Sequence, residues 1–332
     1  MDQESRSLLL HVENTSTLGP VFEASSDRVT AALNRAPDLV DRVRVTVGYD
    51  GRGLDEHLQS ADAVFCWDLP RERLSERAPH LRWIHVHGAG INHWMPLQDL
   101  PKQITLTNSR GVHGERATEY VMMAILALNN RLPEMVTNQR RGRWAQCFSS
   151  SLSGKTLLII GVGHIGHAVA RWAKSVGLNV LGIRRSGKPR RWVDEMYTAA
   201  ELQTILPRAD FVLISAPHTT ETDQLMGAGE LDLMKAGAGL VNYSRAGLVD
   251  YEALRVRLNK GELSAVLDVF TPEPLPKHSL LWEASNLLIT PHCSSDDESY
   301  YTPRTLDLVF ENARRLIQGK PLHNRVSRRL QY

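Results

Sequence analysis

A chain of 332 residues has room for about two domains of ordinary size. Charged residues make up 23% of it and the formal net charge is +2, so neither nucleic acid nor an acidic membrane is expected as a partner. The three cysteines lack metal-ligand spacing and cannot all pair, and residues 1–4 lack the character of a signal peptide. No apolar run reaches the ~18 residues of a membrane span. We therefore expect a cytoplasmic protein without a bound metal.

The first third of the chain alternates short strand-like and helix-like segments. Predicted strands cover residues 8–12, 43–47, 63–66, 83–86 and 104–107, and predicted helices cover 26–34, 54–59 and 71–78. Such alternation predicts a parallel sheet covered by helices on both faces. The segment 115–130 is apolar around most of its circumference, which predicts a buried helix that lies partly under a partner subunit.

A second series begins with the apolar run Thr156–Ile160, which leads directly into the motif G-V-G-H-I-G and a helix-like segment. In this strand–turn–helix context the motif is typical of dinucleotide binding. Gly161 would allow the tight turn, Gly163 would let the backbone approach a pyrophosphate, and Gly166 would let the helix lie close to the strand. The helix N-terminus would add free N–H groups for the phosphates. The alternative is a glycine-rich turn that binds no ligand.

Five further strands are predicted after this motif, and a final helix covers 302–318. The strands cover residues 179–183, 211–214, 240–242, 265–268 and 287–289. With 156–160 they make the six strands of one doubly wound nucleotide domain.

The end of the second of these strands predicts which dinucleotide binds. An acidic residue about 20 positions after the glycines normally accepts a hydrogen bond from the ribose 2′-OH of NAD. Here the strand ends in Arg184, Arg185 and Ser186, without a carboxylate. Arginines form charge-assisted, forked hydrogen bonds to a phosphate, so the sequence predicts a preference for NADP(H). The alternative is a solvated basic loop beside an NAD(H) site.

Arg245, Glu273 and His292 follow three successive late strands, at the sheet edge where such folds bind ligands. A single histidine after Thr-Pro is more often structural, so the prediction depends on all three. Reduction of a 2-oxo acid needs a cation that orients the carboxylate and carbonyl, which a guanidinium provides. It also needs an acid that protonates the forming alkoxide, and an imidazole does this near neutral pH. A neighbouring carboxylate would favour the imidazolium and fix its tautomer.

From about Leu81 onward the sequence resembles the D-isomer-specific 2-hydroxyacid dehydrogenase family, which includes phosphoglycerate, glyoxylate/hydroxypyruvate, formate and phosphite dehydrogenases. The resemblance is to its NADP-linked glyoxylate/hydroxypyruvate reductase branch. It rests on motifs in the family's order, which are residues 87–91, 117–120, 152–156, 161–166, 216–222, 241–245, 267–274 and 290–292.

The resemblance implies an α/β fold of two doubly wound parallel-sheet domains, in which a Rossmann-type cofactor domain is inserted into a flavodoxin-like substrate domain. Residues 1–110 would form the first part of the substrate domain, 111–296 the NADP-binding domain, and 297–332 the C-terminal return to the substrate domain. It also implies a homodimer, joined by the long helix after Gly114 and by the arm 140–144.

The resemblance assigns roles residue by residue. Arg245 corresponds to the substrate-orienting arginine, His292 to the acid/base and Glu273 to its partner. Asp268 corresponds to the residue that holds the nicotinamide carboxamide. The expected substrate-binding residues are Ala89, Gly90, Arg245 and Ser295. The expected cofactor-binding residues are Gly161, Gly163, His164, Ile165, Gly166, Arg184, Arg185, Ser186, Ala216, Pro217, His218, Thr222 and Asp268.

Several positions depart from the family pattern. His218 replaces a common leucine, and it either contacts a 2′-phosphate or is a plain loop residue. The glycine expected after Arg245 is Ala246, and a glycine follows one position later as Gly247. Asn92 replaces an acidic residue, and residues 293–295 are Cys-Ser-Ser where small, glycine-containing residues are usual.

These features predict an NADP(H)-preferring reductase that converts a small 2-oxo acid into a D-2-hydroxy acid, with glyoxylate or hydroxypyruvate as the first choice of substrate. One alternative is an NAD-dependent phosphoglycerate-type or larger 2-oxoacid dehydrogenase. An alternative of another class is a cofactor-sensing scaffold similar to the family's transcriptional corepressors.

Overall fold

The computed structural model describes residues 6–332. Over that range it has twelve strands: β1 (Leu8–Asn14), β2 (Val43–Tyr49), β3 (Ala63–Cys66), β4 (Trp83–Val86), β5 (Thr105–Asn108), β6 (Thr156–Ile160), β7 (Asn179–Ile183), β8 (Glu195–Tyr197), β9 (Phe211–Ile214), β10 (Gly239–Asn242), β11 (Ser264–Leu267) and β12 (Leu287–Ile289). The same range has ten α-helices: α1 (Ser26–Asn34), α2 (Leu54–Leu58), α3 (Leu74–Arg77), α4 (Gly114–Asn129), α5 (Leu132–Arg140), α6 (His164–Ser175), α7 (Leu202–Ile205), α8 (Ala228–Asp232), α9 (Tyr251–Asn259) and α10 (Tyr301–Ile317).

The described chain divides into two units. Unit 1 consists of the described residues up to Val112 together with Asp296–Tyr332, and unit 2 is the continuous segment His113–Ser295. Unit 1 is therefore built from two separate stretches of sequence.

Unit 1 contains a five-stranded parallel sheet in the order β2-β1-β3-β4-β5. This is the flavodoxin-like order of a doubly wound sheet. Every residue of β3 and β4 is buried, as expected for central strands that are covered on both faces. Helices α1 and α10 contribute to the hydrophobic cluster on one face, and α2 and α3 contribute to the cluster on the other.

Two helices of unit 1 show how local sequence sets their bounds. The prediction of a helix over 71–78 was too long, because Arg73 adopts a φ of 52° and α3 begins only at Leu74. Helix α10 ends before Gly319, which has a φ of 65° and therefore the left-handed conformation of a helix C-terminus.

The Arg35 guanidinium donates to the Asp307 carboxylate at 2.7 and 2.9 Å and so links α1 to α10.

Unit 2 contains a seven-stranded parallel sheet in the order β12-β11-β10-β9-β6-β7-β8. Its strand order reverses beside β6, which places the glycine motif at the switch point of a Rossmann-type sheet. Six of the seven strands were predicted. The prediction missed the edge strand β8. This strand has only three residues, Glu-Met-Tyr, and therefore no apolar run that would mark it. The predicted fold class of two doubly wound parallel-sheet domains is confirmed.

Helix α4 is buried on one side, within the cluster that covers one face of the unit 2 sheet. Met123 and Leu126 point away from that cluster, and 47% and 43% of their surfaces are exposed in the single chain. Across residues 6–332, no helix combines the length and apolarity that a bilayer span requires.

Candidate active site

The glycine motif forms a tight connection between β6 and α6. Gly161 has a φ of 102°, and a Cβ there would lie 2.5 Å from the backbone nitrogen of Ala216. A Cβ on Gly166 would lie 2.5 Å from the carbonyl oxygen of Gly161, so only glycine allows helix and turn to approach this closely. At Gly163 no heavy atom lies within 4 Å of the added Cβ, which leaves open space beside the turn. This is the arrangement that a pyrophosphate needs.

Helix α6 starts immediately after this open turn. His164 and Ile165 form its first turn together with Gly166, where backbone N–H groups lack intrahelical partners and the helix dipole favours an anion. The His164 ring lies against Gly114, since a Cβ there would be 2.7 Å from its Cε1 atom. The open turn and the helix N-terminus therefore fit the diphosphate of a dinucleotide.

The end of β7 places the predicted phosphate-binding arginines at the surface. The backbone N–H of Arg184 donates to Tyr197 at 3.1 Å, which ties the loop to β8. The Arg185 guanidinium donates to the Glu221 carboxylate at 2.9 Å, and the exposed fractions of the two side chains are 41% and 73%. Ser186 Oγ accepts from the backbone N–H of Lys188 at 3.4 Å. The loop is thus basic and accessible, and one of its arginines pairs with a carboxylate from the loop after β9.

His218 lies between two loops of unit 2. Its Nε2 pairs with Asp223 Oδ1 at 2.7 Å, and its ring fills the space beside Gly247, where a Cβ would be 2.5 Å from His218 Cε1. Two departures from the family pattern, His218 and the displaced glycine, are therefore in contact. Thr222 Oγ1 donates to the Pro217 carbonyl at 2.7 Å and fixes the turn that carries His218.

Arg245 follows β10 and is anchored through its backbone. The buried Asn242 amide donates to the Arg245 carbonyl at 3.0 Å and accepts from the Ser244 N–H at 3.1 Å. Ser244 Oγ donates to the Ala216 carbonyl at 2.5 Å, which joins this loop to the loop after β9, beside Gly161. Burial lowers the pKa of Arg245 from its ordinary value, and the charge of Glu273 opposes that shift.

Glu273 and His292 form the pair that the sequence predicted. His292 Nδ1 lies 2.6 Å from Glu273 Oε2, and the exposed fractions of the two side chains are 45% and 35%. The other carboxylate oxygen, Oε1, accepts from the Phe270 N–H at 2.7 Å. His292 has a φ of 50°, a left-handed conformation that costs a non-glycine residue about 1–2 kcal/mol. The loop therefore holds His292 in a strained conformation, as active sites often do.

Asp268 organises the loop that carries His292. Its fully buried carboxylate accepts from Thr290 Oγ1 at 2.6 Å and from the N–H groups of Cys293 and Ser294 at 3.1 Å each. The structure thus gives Asp268 a role within the chain, and its contact with the nicotinamide carboxamide stays a prediction. Tyr120 extends the network, since its hydroxyl lies 2.7 Å from Thr290 Oγ1.

His113, which is not among the residues that the sequence assigned to the site, lies in this part of unit 2. Its Nδ1 lies 3.1 Å from the carbonyl oxygen of Ser295, one of the predicted substrate-binding residues. Burial lowers the pKa of His113 from 6.5 to about 4, and the neighbouring Arg245 and His292 act in the same direction. His113 is therefore neutral at pH 7 and its Nδ1 donates to Ser295.

Sequence reasoning did not assign Asn242, Tyr251 or Tyr120 to the site. Asn242 lies inside a motif that carries the resemblance, which was a usable signal. Tyr120 lies in another such motif, residues 117–120, whereas Tyr251 had no such signal, because its hydroxyl contacts depend on which strands become neighbours.

Ala89 and Gly90 lie in unit 1, in the loop after β4. Asn108 Nδ2 donates to the Ala89 carbonyl at 2.6 Å, and the Ser109 N–H donates to the Gly88 carbonyl at 3.2 Å. These bonds from the end of β5 fix the loop from one side and use its carbonyls rather than its N–H groups.

Comparison with known proteins supports the sequence resemblance. A model of the D-isomer specific 2-hydroxyacid dehydrogenase NAD binding domain matches residues 122–294. A D-3-phosphoglycerate dehydrogenase from Methanocaldococcus jannaschii is 29% identical over 87% of this chain, which spans only 56% of that relative. A glyoxylate reductase from Thermococcus litoralis is 31% identical over 72% of this chain and 76% of the relative.

The structure leads to the same conclusion. An NADPH-dependent glyoxylate/hydroxypyruvate reductase from Sinorhizobium meliloti, solved in complex with NADP and sulfate, superposes with a TM-score of 0.80 at 26% identity. The match covers 98% of this chain and 100% of that one. The chain therefore belongs to the D-isomer specific 2-hydroxyacid dehydrogenase family, whose members are NAD(P)-dependent oxidoreductases that act on CH–OH donors.

Proposed function

We propose that this protein reduces a small 2-oxo acid to a D-2-hydroxy acid and prefers NADP(H) over NAD(H). One observation carries the proposal. Arg245, Glu273 and His292 follow the carboxyl ends of the adjacent parallel strands β10, β11 and β12, in the unit that also holds the open glycine turn. Ligands of open α/β sheets bind at this edge.

Each residue of the set has a separate task. The Arg245 guanidinium binds the substrate carboxylate and carbonyl oxygen, and the N–H groups of Ala89 and Gly90 bind the carboxylate. When bound, NADPH supplies the hydride for the carbonyl carbon. His292 Nδ1–H donates to Glu273, which leaves Nε2–H to protonate the forming alkoxide. Glu273 thereby fixes the tautomer and compensates the positive charge of the imidazolium.

The cofactor preference rests on the end of β7. Arg184 and Arg185 stand where a carboxylate for the ribose 2′-OH of NAD is expected, and the S. meliloti relative was solved with NADP. The M. jannaschii relative, a D-3-phosphoglycerate dehydrogenase, supports the second candidate, an NAD-dependent phosphoglycerate-type or larger 2-oxoacid dehydrogenase.

The proposal that the substrate is small rests on side chains of unit 1. Trp67 packs against the loop of Ala89 and Gly90, since a Cβ on Gly88 would lie 3.3 Å from Trp67 Cζ3. The His93 ring stacks on this indole with centroids 5.1 Å apart. We infer that this indole borders the side chain of the substrate and leaves less room for a large one, which favours glyoxylate or hydroxypyruvate, as does the name of the T. litoralis relative.

A homodimer in the cytoplasm is part of the proposal. Besides Met123 and Leu126 of α4, Trp144 and Phe148 in the segment after α5 are 97% and 80% exposed. Aromatic side chains this exposed are typical of a surface that a second copy covers.

The test is a panel of initial rates with NADPH and NADH across glyoxylate, hydroxypyruvate, pyruvate and phenylpyruvate. We expect the largest kcat/KM with NADPH as the cofactor and either glyoxylate or hydroxypyruvate as the substrate. Equal turnover with both cofactors would contradict the cofactor assignment, and a preference for phenylpyruvate would contradict the proposal of a small substrate.

His292→Asn tests the catalytic assignment. Because asparagine cannot supply the proton, we expect kcat to fall by roughly 10²- to 10⁴-fold, while the dissociation constant of NADPH, measured by fluorescence titration, stays nearly unchanged. His278→Asn, an exposed histidine of the same unit, is the control. Full activity of His292→Asn would refute the role.

A further inference from the structure

A hydrogen-bonded network connects the loop of Arg245 to the turn of Glu273. Its centre is Asn242, whose side chain is fully buried at the end of β10. One amide hydrogen is donated to the Arg245 carbonyl at 3.0 Å, and the other is donated to the Tyr251 hydroxyl at 2.9 Å. The amide oxygen accepts from the Ser244 N–H, so every polar group of this side chain is used.

Tyr251 carries the network from β10 to β11. Its hydroxyl donates to the Val269 carbonyl at 2.9 Å, in the segment that follows β11. It is the first residue of α9, and the Asp250 carboxylate caps that helix by accepting from two N–H groups at 3.0 Å. The Tyr251 ring also packs against Phe270, with centroids 6.0 Å apart. The capped helix and the packing of the ring against Phe270 thus hold the Tyr251 side chain in place.

The connection continues to the acid/base. Phe270, the next residue after Val269, donates its N–H to Glu273 Oε1, and Glu273 Oε2 lies 2.6 Å from His292 Nδ1. Hydrogen bonds and short backbone steps therefore lead from the arginine that orients the substrate to the histidine that protonates it.

We propose that Tyr251 is a positioning residue, whose hydroxyl sets the distance between Arg245 and the Glu273–His292 pair. This inference rests on the proposed 2-oxo acid reductase activity. Packing alone does not account for the hydroxyl, because phenylalanine would fill the same space against Phe270. The hydroxyl is needed to satisfy the second Asn242 hydrogen and the Val269 carbonyl, which lie at the end of β10 and in the segment after β11.

Tyr251→Phe removes this link and keeps the ring. A small misplacement between the groups that orient and protonate a substrate is costly, so we expect kcat to fall roughly 10- to 100-fold. We also expect weaker binding of oxamate, an analogue of a 2-oxo acid, in the presence of NADPH. The dissociation constant of NADPH should stay within about twofold of the wild-type value, because the variant leaves the glycine turn unaltered.

Tyr49→Phe is the matched control. Tyr49 lies in unit 1, and its hydroxyl donates to Glu23 at 2.9 Å, so this variant also loses a bonded phenol hydroxyl. Its kcat and oxamate affinity should equal those of the wild type.

The outcomes separate the two proposals. If the wild type turns over and Tyr251→Phe has a kcat and an oxamate affinity within about twofold of it, the positioning role is wrong and the proposed function stands. Equal losses in oxamate and NADPH affinity would also overturn the role, because they indicate general disruption of unit 2. If the wild type reduces no 2-oxo acid, the proposed function fails and this inference fails with it.

Discussion

The ion pair of Arg185 and Glu221 places a negative charge at the predicted phosphate site. Both side chains are largely exposed, and exposed pairs contribute only about 0.2–1 kcal/mol. A 2′-phosphate is a stronger acceptor for the guanidinium, but its binding must displace Glu221 and tolerate that carboxylate nearby. Glu221 would therefore weaken the affinity for NADPH without affecting the affinity for NADH.

Glu221→Gln should lower the KM for NADPH by up to about fivefold, the equivalent of 1 kcal/mol. The KM for NADH should not change, because that cofactor places no phosphate there. Initial rates at low ionic strength would show the effect most clearly, since salt screens exposed charges.

Arg184→Asp should have the opposite effect on NADPH, since a carboxylate at the end of β7 favours a ribose 2′-OH and repels a phosphate. We expect it to raise the preference for NADH. Unchanged NADPH kinetics in both variants would contradict a phosphate site at this loop.

At the scale of secondary-structure elements, the contact between His218 and Gly247 couples the loop after β9 to the loop after β10. The His218 ring is fixed by Asp223, so it cannot easily move away from an added methyl group. The loop of residue 247 also carries Arg245, which makes this contact relevant to the substrate site.

Gly247→Ala should therefore lower the free energy of unfolding by about 1–3 kcal/mol, as overpacking does, and should raise the KM for the 2-oxo acid. The double variant Gly247→Ala/His218→Ala should recover most of both losses, because it removes the ring that the methyl group meets. Urea unfolding and initial rates provide the double-mutant cycle. Additive effects would contradict the coupling. Gly229→Ala, where a Cβ meets no atom within 4 Å, is the control.

The elements that the sequence predicted well are those whose signal is local. Apolar runs marked the central strands, and the glycine motif marked the turn after β6. The edge strand β8 lacked such a run. The roles of Tyr251 and His113 could not be predicted, because their hydrogen bonds join residues that only strand order brings together. His218 and Gly247 were noticed separately, but their contact depends on two loops that are far apart in sequence.

On the scale of the whole molecule, buried histidines make stability depend on pH. His85 of β4 is fully buried, with its ring nitrogens 2.8 Å from Thr107 Oγ1 and 3.2 Å from Ser109 Oγ. Burial lowers the pKa of His85 from 6.5 to about 3. The folded state thus holds a neutral imidazole where the unfolded state takes up a proton.

Stability from this group is fully present above pH 6.5 and is lost as the pH falls toward 3. At pH 5 the loss from His85 amounts to about 2 kcal/mol of the free energy of unfolding. His85→Gln should be less stable than the wild type at pH 7 but should lose about 2 kcal/mol less between pH 7 and pH 5. Urea unfolding at the two pH values measures this difference, with the exposed His80→Gln as the control. An unchanged pH dependence would show that His85 binds its proton equally well in the folded and unfolded states, which would contradict a lowered pKa.

The hydrogen bond between His113 and Ser295 joins the first and last residues of unit 2. A continuous segment whose two ends meet can be moved between proteins, because its removal leaves only a short gap in the host. Residues 113–295 are therefore a natural cassette for expression as a separate protein, and a linker of a few residues between Val112 and Asp296 would close unit 1 after the excision.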